Sequence, residues 1–412
     1  MLGDPDRTLL LTAARVASAC VVPVDLTGET DPELSRVVIL REPGFVEPFF
    51  AALSDSSDPS VRSETIVVVA PTPGLADLVR SMTRGVRVID CPIDLGTAAA
   101  WNLAVGAARS PWIALLHEDT VLAPGWEELM GLLRNRGVGV VGPRLVNSDG
   151  STQCTGWVVF RDGRCVPIDD RTAATTSEAR RSDGLLDVDL VSSACMVFAT
   201  DTWRRLGGFD ERYFPAVGVD VDFCLAVRES GLRVVCTDRV KVVHASGAMM
   251  RADRAHGDRA LRTFLIRRNH ALLGRQWAPV LERRPPFPDA DDELRMSVGR
   301  YWKDSLFEIA SDARGPRVAD RSITGFDQLI DDRVPEEVSF RAASRRTEVL
   351  EDCIAWSVRE AMSADDEVDA PRECPHAEGI GARLAAIERS RTWKVRGALV
   401  RLLPHRWRSG RL

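Results

Sequence analysis

The chain predicts an α/β fold: a mostly parallel sheet buried on both faces, followed by a helical C-terminal region. Short, apolar, β-branched runs alternate with helical stretches of about ten to fifteen residues, the pattern of βαβ units. Hydrophobic residues make up 45% of the 412 and charged residues 28%, an ordinary globular balance that supports a large core. No apolar run reaches the roughly 18 residues that a membrane-spanning helix requires.

Residues 1–35 read as an N-terminal extension, with a short helix over Thr8–Cys20 and a short strand over Val21–Leu26. From Arg36 a rhythm begins. Strands are predicted at Val37–Leu40, Thr65–Val69, Val86–Ile89, Trp112–Leu116 and Val138–Val141. Helices fall between them: one ending near Leu53, one after Gly74, an Ala-rich one over Thr97–Ala108, and one over 124–136. Pro124 suits the first position of that last helix and Gly137 its end.

Residues 144–187 are polar and turn-rich, an inserted hairpin and mobile loop. A strand is predicted over Val188–Ala199, a short helix near Asp201 broken at Gly207-Gly208, and a helix over Asp220–Ser230 closed by Gly231. Strand segments Arg233–Thr237 and Val240–His244 complete a domain spanning 36–250. Residues 251–362 are helical, with Leu261, Phe264, Leu265, Leu272 and Leu273 on one face. Residues 363–376 form an acidic, Pro-containing linker, and 377–412 a basic helical tail.

The net charge of −6 is uneven, since residues 379–412 hold nine Lys/Arg and one acid. Such a tail suits peripheral contact with an anionic membrane surface, or a solvated helix face against the acidic body. The nine cysteines include no CxxC pair, which argues against a disulfide framework or a structural zinc site. Two early acids, Asp4 and Asp6, and an apolar stretch interrupted by Arg15 do not make a secretory signal. The expected location is cytoplasmic, with membrane association through the tail.

In parallel sheets ligands bind beyond the carboxyl ends of the strands. The residues there are Arg41 and Glu42, Ala70 to Thr72, Asp94, and His117-Glu118-Asp119. Alternate residues past a strand can face one crevice, so His117 and Asp119 form candidate ligands for a divalent cation, Mn²⁺ or Mg²⁺. Asp220 and Asp222 open a helix, where the dipole favours carboxylates. His244 ends a strand and can join the ligands. Such a set suits a diphosphate leaving group, with a separate carboxylate to take a proton from an attacking hydroxyl. Taken singly, Asp119 and Asp220 also fit helix N-caps, His117 a rim residue, and His244 a satisfied strand-end histidine.

Several segments in order carry a resemblance: Asp94-Leu95-Gly96 with Asn102, His117-Glu118-Asp119, Ser193-Ala194-Cys195-Met196, Gly207 to Glu211, Val219-Asp220-Val221-Asp222-Phe223-Cys224, and His244. Together they resemble the family 2 glycosyltransferases of GT-A fold, particularly bacterial rhamnosyl- and galactofuranosyl-type enzymes, over about 36–250. Arg268-Asn269 and Ser390-Arg391-Thr392-Trp393-Lys394 extend the likeness.

The resemblance implies sugar transfer, with inversion, from a UDP- or dTDP-sugar to a polysaccharide, lipid-linked glycan or small natural product, and no nucleic-acid partner. By position it implies Asp119 and His244 as metal ligands with His117 beside them. Asp220 becomes the general base and Asp222 its neighbour. Arg41, Glu42, Thr72, Asp94, Asn102 and Glu118 fall on the donor side, and 144–187 on the acceptor side. The chain departs from the family pattern at His117, where an Asp is usual, at Val219 in place of Glu, and at Ala70 in place of Asp. The last two departures also fit a domain that binds without catalysing.

Overall fold

The computed structural model describes residues 23–28, 31–135, 137–169, 185–245, 259–288 and 334–365. The expected helix at Thr8–Cys20, part of the 144–187 segment, most of the acidic linker and the basic tail lie outside the described residues. Two compact units divide the chain, Met1–Ile354 and Ala355–Leu412. Of the second, only the end of one helix is described.

The strands are β1 (Val24–Asp25), β2 (Leu34–Leu40), β3 (Ser63–Val69), β4 (Thr83–Arg84), β5 (Val86–Asp90), β6 (Trp112–His117), β7 (Thr120–Val121), β8 (Val138–Val146), β9 (Thr152–Cys154), β10 (Trp157–Val159), β11 (Cys165–Pro167), β12 (Leu186–Asp187), β13 (Cys195–Ala199) and β14 (Arg233–His244). The helices are α1 (Val46–Ser56), α2 (Leu75–Met82), α3 (Gly96–Ala107), α4 (Glu128–Leu132), α5 (Thr200–Arg205), α6 (Val219–Glu229), α7 (Arg259–Gln276), α8 (Ala278–Leu281) and α9 (Glu336–Asp365).

Ten strands form one sheet in the order β12-β14-β8-β13-β6-β2-β3-β5, with β7 added to β14 and β9 to β8. The sheet is parallel from β6 through β2 and β3 to β5. It turns mixed beyond, because β13 runs antiparallel between β6 and β8. Apolar runs mark a buried strand but carry no direction, so the reversal was not predictable from them.

Side chains alternate between two cores, as the two-residue period of a strand requires. Val37, Ile39, Ile66, Val68, Ile113 and Leu115 share one with α3, α6 and the aromatics Phe198, Phe209 and Phe223. Val38, Leu40, Val67, Val69, Ala114 and Leu116 share the other with Phe49 and Phe50 of α1 and with Trp126. Phe209 packs tilted against Phe223 with ring centroids 4.6 Å apart. Leu273 of α7, Trp277 between the helices, and Val280 and Leu281 of α8 pack into the first core, so these helices belong with the sheet.

Three expected elements differ. The helix over 124–136 shrinks to α4, because Gly125 adopts a left-handed backbone (φ 86°) and turns the first residues out of helix. The strand over Val188–Ala199 contracts to β13. Val188 to Ala194 instead form an irregular run in which buried Asp189 accepts from Val159 N (3.0 Å) and Arg284 Nη1 (2.7 Å). The two segments after Gly231 fuse into one twelve-residue strand, β14, with a register shift between Thr237 and Lys241.

Candidate active site

The site is assembled where β2, β3 and β6 end. β6 delivers His117 at its last position and turns through Glu118 and Asp119, with Thr120 Oγ1 donating back to the His117 carbonyl at 2.7 Å. The next two residues pair antiparallel with the end of β14, so that Thr120 lies opposite His244. Ala245 N donates to Asp119 O at 3.0 Å and closes the junction. A short bridge of two strands therefore brings residues far apart in the chain into contact.

His117, Asp119 and His244 each offer a ligand atom, all within 4.8 Å of one another. His244 Nε2 lies 3.3 Å from Asp119 Oδ1. The two imidazole centroids are 5.5 Å apart, and Trp101 stacks on His117 at 6.3 Å. Burial, with the neighbouring His244, pushes the His117 imidazole down to about 3, so it is neutral and keeps a lone pair. Burial alone would raise the Asp119 carboxyl, but the hydrogen bond and charge of His244, with His117, hold it below its ordinary value. Two imidazoles beside an ionised carboxylate fit a divalent cation, with coordination positions left over for other oxygens.

Asp220 stands at the first turn of α6. Gly218 caps that helix with φ 92°, and a side chain there would meet the Tyr213 ring at 2.9 Å, so this position demands glycine. The Asp220 Oδ2 accepts from Ser193 Oγ at 3.3 Å, and the same hydroxyl oxygen lies 3.3 Å from His117 Nε2. With its only hydrogen committed to Asp220, the Ser193 oxygen accepts from Nε2–H, which leaves His117 Nδ1 as the lone pair. Burial raises the Asp220 carboxyl above its ordinary value, against the opposing hydrogen bonds from Val221 N and Ser193.

The residues expected on the donor side form a second group. Glu118 is buried and accepts from Arg41 N (2.7 Å) and Glu42 N (3.2 Å), tying the end of β6 to the end of β2. Thr72 Oγ1 donates to the Arg41 carbonyl at 3.1 Å, and Arg41 Nη2 donates to Thr97 Oγ1 at 3.1 Å. Asp94 Oδ1 accepts from Gly96 N at 2.9 Å at the start of α3. A side chain at Gly96 would strike the Phe214 ring at 2.6 Å, so the loop before α6 closes tightly over this turn.

Two expected site residues lie elsewhere. Asn102 is fully buried in α3 and faces the core: its Oδ1 accepts from Phe209 N (2.8 Å) and Trp203 Nε1 (3.2 Å), and its Nδ2 donates to Phe209 O (2.9 Å). It fixes the Gly207-Gly208-Phe209 turn and cannot reach a donor. Asp222 is also fully buried, and its Oδ1 accepts from Trp277 Nε1 (2.9 Å) and Gln276 Nε2 (2.8 Å), so it anchors the end of α7. Two residues outside the expected set do enter the site, Ser193 and Gln153. Ser193 sits within a quoted motif; Gln153 carried no sequence signal.

The strand ends of this α/β sheet thus gather a His/Asp cluster, a separate helix-borne carboxylate and an arginine. Residues 42–176 match the model of Glycosyl transferase family 2. It is 32% identical over 156 residues to an O-antigen biosynthesis protein, RfbC, of Myxococcus xanthus, covering 37% of this chain and 12% of that one. It is 27% identical over 312 residues to a pre-mycofactocin glycosyltransferase of Mycobacterium tuberculosis, covering 69% of this chain and 60% of that one. The chain thus spans less than two thirds of the length of these relatives. A mannosyltransferase of Pyrobaculum calidifontis, solved with GDP-Man and Mn²⁺, aligns over 86% of this chain and 94% of its own at 16% identity. Its TM-score of 0.42 is too low to support residue correspondences. No described helix is long and apolar enough to cross a membrane.

Proposed function

We propose that this chain is an inverting glycosyltransferase that moves a sugar from a UDP- or dTDP-sugar to a hydroxyl acceptor. The carrying observation is the meeting, at one strand-end crevice, of the His117/Asp119/His244 cluster with Asp220 through Ser193. Asp220, half-buried and raised in basicity, takes the proton as the acceptor oxygen forms its bond to the anomeric carbon. The bond from that carbon to the donor phosphate breaks on the opposite face, and the nucleoside diphosphate leaves. A cation held by His117, Asp119 and His244 would offset the charge on the leaving diphosphate. Two imidazoles soften the donor set, which favours Mn²⁺ over Mg²⁺. Arg41, held by Thr72 and Thr97, lies on the donor side. One relative is named for O-antigen biosynthesis and another as a pre-mycofactocin glycosyltransferase.

The runner-up is a domain that binds without catalysing, favoured by Ala70 and Val219. Val219 is 3% exposed and packs in the core, so the helix start carries one acid fewer than the family pattern. A thermal-shift screen against UDP, dTDP, GDP and their common sugars, with and without Mn²⁺, finds the donor, and release of the nucleoside diphosphate from that sugar in the presence of hydroxyl acceptors separates the readings. Mn²⁺-dependent stabilisation by one nucleotide with turnover of its sugar supports the transferase, stabilisation without turnover supports the binding-only domain, and no stabilisation of folded protein by any of them overturns the transferase.

A further inference from the structure

The inserted segment after β8 reaches back to the cation cluster through one side chain. β9 pairs with β8 so that Cys154 lies opposite Leu145 and Thr152 opposite Val146. Gln153 is therefore the extra residue of a β-bulge, a device that re-aims a side chain out of its normal alternation. Its Oε1 lies 2.7 Å from His244 Nδ1. Its Nε2 donates to Asn147 Oδ1 at 3.0 Å and to the His244 carbonyl at 3.2 Å.

These contacts settle the amide orientation. Two oxygens surround one end, so that end is the nitrogen, and the oxygen faces the imidazole. An amide oxygen can only accept, so His244 Nδ1 carries hydrogen. In the neutral ring Nε2 is then the lone pair, aimed at Asp119 Oδ1 across 3.3 Å. Two acceptors that close are tolerated only with a positive charge between them, a proton or a metal ion. Asn147 is itself held: its Nδ2 donates to Ser151 Oγ at 2.9 Å, and its N to Ser151 O at 2.8 Å. The tight turn between β8 and β9 thus braces the amide.

We propose that Gln153 is a positioning residue for cation binding: the bulge aims its amide so that His244 presents Nε2, and not Nδ1, to the metal. It rests on the reading of His117, Asp119 and His244 as a cation site, and it gives the segment assigned to the acceptor a second role on the metal side. Outer-shell partners of this kind typically change metal affinity about 10–100-fold.

The test is an electron paramagnetic resonance titration of Mn²⁺ alone into the full chain and its variants, each first checked for folding by circular dichroism. Gln153→Met keeps the volume and removes the acceptor; it should weaken Mn²⁺ binding about 10–100-fold. Gln153→Glu keeps an acceptor for Nδ1–H and should stay closer to wild type than the Met variant. Asp119→Ala and His244→Ala serve as references and should abolish binding. If these references still bind Mn²⁺ as wild type does, the cluster is not the cation site and the proposal falls with it. If they lose binding while Gln153→Met does not, the site stands and the role of Gln153 is overturned. Equal losses in the Met and Glu variants would also overturn it, since the acceptor would then not matter.

Discussion

The two halves of the sheet build their parts of the site by different means. In the parallel half, β5-β3-β2-β6, functional residues lie directly past the strands that carry them, and backbone hydrogen bonds tie them together. Glu118 holds Arg41 and Glu42 by their amides, so this wall of the site is fixed mainly by where strands end. In the mixed half, β8-β13-β14, side chains hold side chains: Ser193 joins Asp220 to His117, and Gln153 joins β9 to His244. Strand order alone places the first wall. The second wall depends on an irregular turn, a bulge and a two-residue pairing between β7 and β14.

The first turn of α6 condenses that contrast, because Asp220 and Asp222 stand two residues apart and serve opposite ends. The largest expected effect is Asp220→Asn. It keeps the shape and removes the base, so turnover should fall about 10²–10⁴-fold with folding intact. Mn²⁺ binding should be unchanged, since Asp220 is not among the ligands. A steady-state assay with the donor found in the nucleotide screen reads this. Unchanged turnover would mean that a group other than Asp220 is the base.

Asp222→Ala should do the reverse. Its loss removes the Oδ1 acceptor of the indole N–H of Trp277, 2% exposed, and of the amide of Gln276. A buried donor left without its partner is destabilising by about 1–3 kcal/mol, and hydrogen bonds to charged groups lie toward the upper end. Chemical denaturation should show a loss of about 3 kcal/mol or more, while the protein that remains folded still binds Mn²⁺. Wild-type stability with lost turnover would instead place Asp222 in the chemistry.

These two residues also mark what could be read from the chain alone. The α/β class, the parallel half and the gathering of His117, Asp119 and His244 were legible, because apolar runs, strand-end polar residues and motif order all point one way. Asn102 and Asp222 were not, since a polar residue in a motif looks the same whether it faces a crevice or satisfies a buried turn. The reversal of β13 escaped because periodicity has no direction. Gln153 escaped because a bulge depends on the pairing of two strands, and neither strand records it by itself.

The smallest effect separates the two walls by pH. Burial raises the Asp220 carboxyl above its ordinary value of 3.8. The folded state therefore favours the protonated form, and between 3.8 and the raised value it binds more protons than the unfolded chain. Stability should fall as pH rises through that window and stay lower above it. Asp220→Asn removes the buried charge, so in metal-free, donor-free protein its melting temperature should match wild type below the window and exceed it at neutral pH. Activity runs the other way, because only the carboxylate accepts the proton. In wild type, kcat/KM should decline on the acid side at a pH above the ordinary carboxylate range. A stability gain in the Asn variant that persisted unchanged into acid would trace to packing rather than charge. An acid limb at the ordinary carboxylate value would place the base on an exposed group elsewhere.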